Sequence, residues 1–280
     1  MLDPEHSRSL DLGSEKLIPL NKLWAEVSMF PVRDATPALH LLLGKLCKLL
    51  GGCDASWMVL RKESKLPRDI SADHYQTIFE AMNGWAPVTA EYLNPDKVFK
   101  RVADRWLMHA RKEGVDPITR VMLDGAGKYT RSRTRHDVAT DEEWEHHWIS
   151  KHFNAFYGIG ERLLAISPLN KKCEACIIID RPVGAEPYMT ADRDFLVFAL
   201  ANVSTLNKRL CMERGLLGTT ALLSKRETDT YRLLLTDLSE SEIAASLKLS
   251  THTVHDYARQ LYRKFGVKGR VGLMAMVLGG

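Results

Sequence analysis

Between Leu223 and Gly266 the chain writes three helix starts in close succession, and few folds accommodate that spacing. Ser224-Lys225-Arg226-Glu227 fits a capping box, in which the serine hydroxyl takes an orphan backbone N–H and the glutamate reaches back to the cap. Ser239-Glu240-Ser241-Glu242 fits the same rule, and Ser250 opens a third helix with Thr253 in the place of the usual Glu or Gln. Apolar residues fill the intervals at helical spacing. Tyr231, Leu234 and Leu235 mark the first helix; Ile243, Ala244 and Leu247 mark the second. Ala244 and Ala245 are small enough for close approach of another helix, and Lys248-Leu249 leaves a very short connection, with Leu249 expected to anchor it. In the third helix Val254, Ala258, Leu261 and Phe265 fall in one narrow stripe. Gly266 is placed to end that helix in the left-handed conformation, and a nearly wholly apolar fourth helix follows Val267-Lys268-Gly269-Arg270.

Opposite the apolar stripe of the third helix lie His252, His255, Asp256, Arg259 and Arg263. This face is polar, mostly basic and carries donors and acceptors, which suits the major groove of DNA. From Ser250 onward Arg259, Arg263, Lys264, Lys268 and Arg270 stand against one acid, Asp256, the right sign for contact with phosphates. The whole-chain charge of +4 would not suffice alone.

Leu223-Ser-Lys-Arg-Glu227, Ser241-Glu-Ile-Ala244, Leu247, Ser250-Thr-His-Thr-Val254 and Tyr262-Arg-Lys-Phe-Gly-Val267 together resemble the DNA-binding domain of LuxR/GerE-type transcriptional regulators. The resemblance covers roughly the last fifth of the chain. Tyr257 departs from it, standing where the family usually has His, at what reads as a helix-packing position. The resemblance implies that His255, Asp256 and Arg259 face base edges, and that Ser250, Thr253, Arg263, Lys264 and Arg270 meet the DNA backbone. Double-stranded DNA is then a partner, and RNA polymerase a plausible one. The fourth helix, with Val271, Met274, Val277 and Leu278, has more apolar surface than one packing neighbour needs, so a homodimer contact is expected there. A protein-interaction bundle and the promoter-reading region of a sigma factor are the rival readings, though nothing upstream resembles other sigma regions.

A chain of 280 residues accommodates two domains. The expected division is an α/β sensor over 1–214, a hinge over 215–221 and an all-α, four-helix helix-turn-helix domain over 222–280. With 45% hydrophobic and 26% charged residues, no apolar run of membrane-spanning length and no signal-peptide pattern at Met1-Leu-Asp-Pro-Glu-His, a cytoplasmic protein without membrane contact is expected. The five cysteines are then thiols.

Residues 1–20 are polar and expected to be poorly ordered. Thr36-Pro37 opens a Leu-rich helix running to Gly51-Gly52, and Ser56–Leu60 is a buried strand. Ser71 opens a helix carrying Tyr75, Ile78, Phe79 and Met82; Asn94-Pro95 opens one carrying Val98, Val102 and Trp106. A capping box at Thr140–Glu143 starts a helix to about His152. Strands Arg162–Ser167 and Cys176–Asp180 follow, joined by a turn at Pro168–Lys172, and a long helix runs from Ala191 to about Arg209. This order implies a mainly antiparallel sheet flanked by helices. The strand pair, Asp180-Arg-Pro and Thr190-Ala-Asp-Arg-Asp-Phe195 resemble GAF- and PAS-like sensor domains, and the outline is similar to the autoinducer-binding domain of quorum-sensing regulators. That resemblance implies a pocket between sheet and helices for a small-molecule signal, a protein signal being the alternative. Trp106 followed by Asp116-Pro117 echoes the quorum-sensing version. Ala110, however, stands where its pocket tyrosine would fall, and the spacing is shorter, so no pocket residue is carried over.

Other constellations are weaker. Cys173-Glu-Ala-Cys176 is a lone CxxC, read as two structural thiols in a strand. Glu143, His146, His147 and His152 read as a solvated helix face. The alternative function built on these clusters is a metal- or thiol-based sensor or enzyme. The basic stretch 128–136, with Lys128, Arg131, Arg133, Arg135 and His136, reads as a surface loop that could instead hold an anion or DNA. His40 reads as a boundary histidine, and Trp57, Trp85, Trp106, Trp144 and Trp148 as core or pocket wall. No phosphate-accepting receiver pattern, nucleotide-binding glycine loop or catalytic set is recognised, so neither enzymatic activity nor a cofactor is expected.

Overall fold

The computed structural model describes residues 14–31, 34–63, 72–220 and 222–278. Internal contacts divide the chain into two compact units: Met1–Phe30 with Thr36–Ser204, and Pro31–Ala35 with Thr205–Gly280.

The described part of the first unit is built on strands β1 (Asp54–Lys62), β2 (Trp85–Tyr92), β3 (Arg131–Arg133), β4 (Ile159–Asn170) and β5 (Cys173–Pro182). They form one sheet in the order β2-β1-β5-β4-β3, antiparallel throughout. Strand alternation then sorts the side chains. Trp57, Val59, Leu163, Ala165, Ile177 and Ile179 share one face at 1% exposure or less. Helix α8 (Thr190–Ala201) packs over β3 and β4. Outside it lies α1 (Ser14–Ser28), whose Trp24 indole donates to the Ala199 carbonyl at 3.1 Å and tilts against Phe198. Helix α2 (Ala35–Leu49) buries Leu39, Leu42, Leu43 and Leu46 completely, an apolar stripe at helical spacing.

The opposite face presents Ser56, Met58 and Leu60 from β1, Arg162, Leu164 and Ile166 from β4, and Cys176, Ile178 and Asp180 from β5. Helices α3 (Ala72–Ala81), α4 (Phe99–Glu113), α5 (Pro117–Leu123), α6 (Asp141–His146) and α7 (Ala155–Tyr157), with a π-helical turn at Ile149–Asn154, lie along the chain between these strands. Their buried residues, among them Ile78, Ala110, Ile118, Trp144 and Phe153, join Leu164, Ile166 and Cys176 in one core. The expected α/β layering is thus the fold of this unit.

The second unit is helical: α9 (Ser204–Glu213), α10 (Lys225–Leu234), α11 (Glu240–Leu247), α12 (Thr251–Phe265) and α13 (Arg270–Leu278). Both expected capping boxes are formed, with Glu227 N and Glu242 N donating to the Ser224 and Ser239 hydroxyls at 3.3 Å. Ser250 Oγ caps α12 by accepting from Thr253 N at 3.0 Å. Tyr231, Leu234, Ile243, Ala244, Val254, Ala258, Leu261, Phe265 and Leu273 are buried together, and the Tyr231 and Phe265 rings stack at 4.9 Å. Ala245, by contrast, is exposed, so Ala244 alone supplies the close-approach surface on α11. Gly266 ends α12 at φ 65°, as its position implied.

Several expectations are corrected. Residues 14–20 belong to α1, because Leu20 and Leu23 are buried on its inner face. The long closing helix is two helices: Asn202, at φ −94° and ψ 0°, breaks the ladder between α8 and α9. Helix α4 starts at Phe99, since the Asn94 side chain instead accepts Asp96 N and forms a turn. The helix from Thr140 stops at His147, which is extended at ψ 145°. β4 and β5 are longer than expected, so the turn contracts to Lys171-Lys172. β2 and β3 were not expected at all. Ser71 lies outside the described residues.

Candidate functional site

Burial of the apolar stripe of α12 in its own unit leaves its other face outward. His252, His255, Arg259 and Arg263 are exposed, and Asp256 is half-exposed. The acids and imidazoles on this face are already paired. His252 Nδ1 lies 3.3 Å from Asp256 Oδ2, one helical turn on, and His255 Nδ1 lies 3.1 Å from Glu240 Oε2 on α11. Ser250 and Thr253, their hydroxyls 2.7 Å apart, sit at the N-terminus of α12, where the helix dipole favours an anion.

Two of the residues expected to meet the DNA backbone hold the fold as well. Lys264 Nζ pairs with Glu227 at 2.7 Å, tying α12 to the capping box of α10. Arg270 donates to the carbonyls of Leu234 at 2.8 Å, Leu238 at 2.6 Å and Thr236, satisfying the C-terminal end of α10 and the turn after it. The apolar stripe of α13 divides. Val277 is 7% exposed and sits one turn from the fully buried Leu273, so it belongs to the core of this unit. Val271 is 83% exposed, and Met274 stays partly open.

Between the second face of the sheet and its helices the first unit holds a cavity of about 160 Å³. One water occupies roughly 10–15 Å³ of such space, so there is room for a molecule of many heavy atoms. Met58, Leu60, Met82, Trp85, Trp106 and Trp144 are among the walls, which are chiefly apolar. The π-helical turn matters here. Its i→i+5 spacing sets Ile149, Phe153 and Asn154 all on the cavity side, where an α-helix would spread them further round.

The charged groups on these walls are matched within the protein. Arg162 and Asp180 make a two-pronged pair at 2.7 and 2.9 Å. Burial opposes the charge of Arg162, but Asp180 outweighs it and holds the guanidinium pKa above its ordinary value. Arg131 and Glu174 make a second fork at 2.8 and 2.9 Å, and Lys97 pairs with Asp54. Asp116 caps α5 through Thr119 N at 3.0 Å and also accepts from Thr119 Oγ1 at 2.7 Å and Trp106 Nε1 at 3.2 Å. Two wall residues keep a buried polar atom without a hydrogen-bond partner among the described residues: the Tyr92 hydroxyl and Asn154 Oδ1. Trp57 and Trp148 are core rather than wall, which separates the five tryptophans that sequence left together.

The basic stretch 128–136 is largely turned inward, a correction with a plain cause. Glu174 and Glu161, 0% and 5% exposed, need cations: Arg131 serves the first, and Arg135 Nε donates to the second at 2.7 Å. The signal for this lay in those two acids, but nothing local joined them to the arginines. Cys173 and Cys176 are both buried and, three apart on a strand, point to opposite faces. Burial pushes the Cys176 thiol up to about 12. Of the other cluster, Glu143 closes the Thr140 capping box, His146 Nδ1 meets the Glu142 carbonyl, and His152 stacks on His109 at 4.9 Å. His147 accepts Ile149 N at 3.2 Å, with burial lowering its pKa. Among the described residues no three His, Cys, Asp or Glu side chains gather as a metal site. His40 keeps its tip half-exposed, 3.9 Å from Glu91. Among the described residues no helix is long and apolar enough to cross a membrane.

Solved structures with similarity to this chain include SdiA in complex with octanoyl-rac-glycerol, at 13% identity and a TM-score of 0.44 over 95% of this chain and 96% of that one. Escherichia coli SdiA gives 16% identity and 0.42 over 95% and 97%. The VqsR LBD domain of Pseudomonas aeruginosa gives 10% and 0.43 over 69% and 99%. The spore germination protein GerE of Bacillus subtilis (strain 168) is 43% identical over 49 residues, which are 18% of this chain; the match spans 66% of GerE. Residues 221–277 match the family of bacterial regulatory proteins named luxR, or GerE. With the capped helices α10 to α12 and their shared core in place, the C-terminal domain belongs to the luxR family of bacterial regulatory proteins.

Proposed function

We propose that this protein is a transcription regulator that reads double-stranded DNA through α12 and responds to a small molecule held in the cavity of its first unit. The observation that carries the reading is the outward face of α12: it is polar and mainly basic, while the opposite stripe is fully used in the core. In this reading Arg259 is the principal base reader, with His255 and Asp256 beside it. Ser250, Thr253, Arg263 and Lys264 contact phosphates, and Arg270 positions the turn between α10 and α11. Val271 and Met274 offer a two-fold contact, giving half-sites about one turn of DNA apart. The cytoplasm, where DNA is, is the natural location, and RNA polymerase a natural second partner.

The test is duplex binding across site variants and salt. Arg259→Ala loses discrimination at one base pair, by about 1–3 kcal/mol. Arg263→Ala weakens all duplexes alike and reduces the salt slope by about 1. Unchanged affinity and preference in both variants overturn the DNA reading.

The cavity fits an uncharged, mainly apolar ligand. Each charged wall group already has a partner, and burying an uncompensated ligand charge costs several kcal/mol. Tyr92 and Asn154 supply hydrogen bonds for a polar group on such a ligand. Melting the protein with 1-decanol, decanoate and decylamine tests this. The alcohol raises Tm with concentration, following RT ln(1 + [L]/Kd), and the two ions do not. Equal shifts from all three, or none, refute it. The ligand acts by favouring one geometry of the dimer over another.

A further inference from the structure

The contact between α11 and α12 has a chemical consequence for what the DNA face can read, resting on the DNA-reading role above. His255 Nδ1 lies 3.1 Å from Glu240 Oε2, with the histidine 57% and the glutamate 34% exposed. Glu240 is the first residue of α11, behind the Ser239 cap, so the short helix fixes where its backbone stands. An ionised carboxylate only accepts hydrogen bonds, and Nδ1 must therefore carry the proton in this pair. In the neutral imidazole the other nitrogen, Nε2, is then bare and can only accept. Asp256, the next residue, is likewise an acceptor, held by His252 at 3.3 Å. Arg259, one turn beyond His255, is a donor.

We propose that Glu240 is a positioning residue for base recognition: it fixes His255 in the Nδ1–H tautomer, so that Nε2 selects a base-edge amino group, that of adenine or cytosine, in the major groove. Adenine N6 and cytosine N4 are the donors displayed there, whereas guanine and thymine offer acceptors at the corresponding edge. Facing guanine O6 or N7, the bare nitrogen would set acceptor against acceptor. The opposite tautomer would reverse the preference. The glutamate thus decides a base without touching it, and a carboxylate at the start of α11, a poor neighbour for phosphate, has a reason to be there.

The test enriches duplexes from a random pool with the full chain at about pH 8, where an ordinary imidazole is neutral, for the wild type, Glu240→Gln and Glu240→Ala. Gln can still accept from Nδ1–H, but its amide can equally donate to a bare Nδ1, so it keeps the contact and removes the tautomer bias. The wild type is expected to enrich adenine or cytosine over guanine at one position of each half-site, by about five- to tenfold for a single neutral hydrogen bond. Both variants fall to within about twofold there and keep the preferences at other positions. The imidazole ¹⁵N shifts of His255 report Nδ1–H in the wild type and a mixture in Glu240→Gln. A merely structural role for Glu240 would leave Glu240→Gln like the wild type in both readouts. That result overturns the proposal while DNA binding stands. Enrichment of no motif by any of the three, with each variant folded, overturns the DNA reading and the proposal together.

Discussion

Glu227 serves two neighbours at once. It closes the capping box of α10 by accepting from Ser224 N at 2.8 Å, and it receives Lys264 from α12. Burial would raise its carboxyl, but the hydrogen bonds from Lys264 and Ser224 outweigh burial and leave the pKa below 4.5. A folded pKa under the unfolded one means the stabilisation is fully present above about 4.5 and is lost as pH falls through the lower, folded value. Glu227→Gln keeps much of the capping geometry but not the charge. It is expected to cost about 1 kcal/mol at neutral pH, and the difference in Tm from wild type should narrow as pH falls below about 4.5. A constant gap across that range would refute the assignment. The caps at Ser224, Ser239 and Ser250 were legible in the sequence because their partners lie three residues away. Arg131 was not: its carboxylate, Glu174, comes from another strand, 43 positions along.

At the scale of elements, the long periodic helices of the C-terminal unit were readable because one short segment determines each. β2 and β3 were not, since their pairing is set by distant partners, Ser56–Lys62 and Leu164–Ile166. The residue linking α11 to α12 illustrates what pattern alone hides. Lys248 sits at φ 55° and ψ 49°, a left-handed conformation that glycine adopts without penalty, while its N–H bonds back into α11. Lys248→Gly should therefore stabilise the domain by about 0.5–1 kcal/mol, the relieved backbone strain exceeding the added freedom of the unfolded chain. Chemical denaturation of the full chain measures it, and a lower midpoint would contradict the strain argument. The π-helical turn was equally invisible: its residues read as the continuation of the helix from Thr140, although His147 had already broken it.

For the molecule as a whole, the helical C-terminal domain and the antiparallel sheet were both legible from the order of elements, whereas the cavity between sheet and helices was visible only as an implication of resemblance. Whether Trp106 packs, lines a pocket or does both depends on Asp116 meeting its indole, which spacing does not specify. Association is the property that sequence and structure approach from different ends. The stripe on α13 was read as exceeding what one packing neighbour needs, with part of it left for a two-fold contact; burial assigns Val277 to the domain's own core and leaves Val271 and Met274 open. Val271→Glu places a charge on a side chain already 83% exposed, so folding should be unaffected. Sedimentation is expected to show a weakened dimer, with half-site cooperativity on DNA lost. A variant that sediments like wild type would remove α13 from the interface.

The π-helical turn at Ile149–Asn154 gives the first unit a tunable wall. It holds one residue more than an α-helical turn would, so deleting a residue there lets the ladder relax to ordinary i→i+4 bonds without shifting the anchored ends. Phe153 or Asn154 would swing away from the interior, and the enclosed shape would change while the sheet stayed as it is. Length variation at this one point is thus a route by which a chain of this design can exchange one interior shape for another.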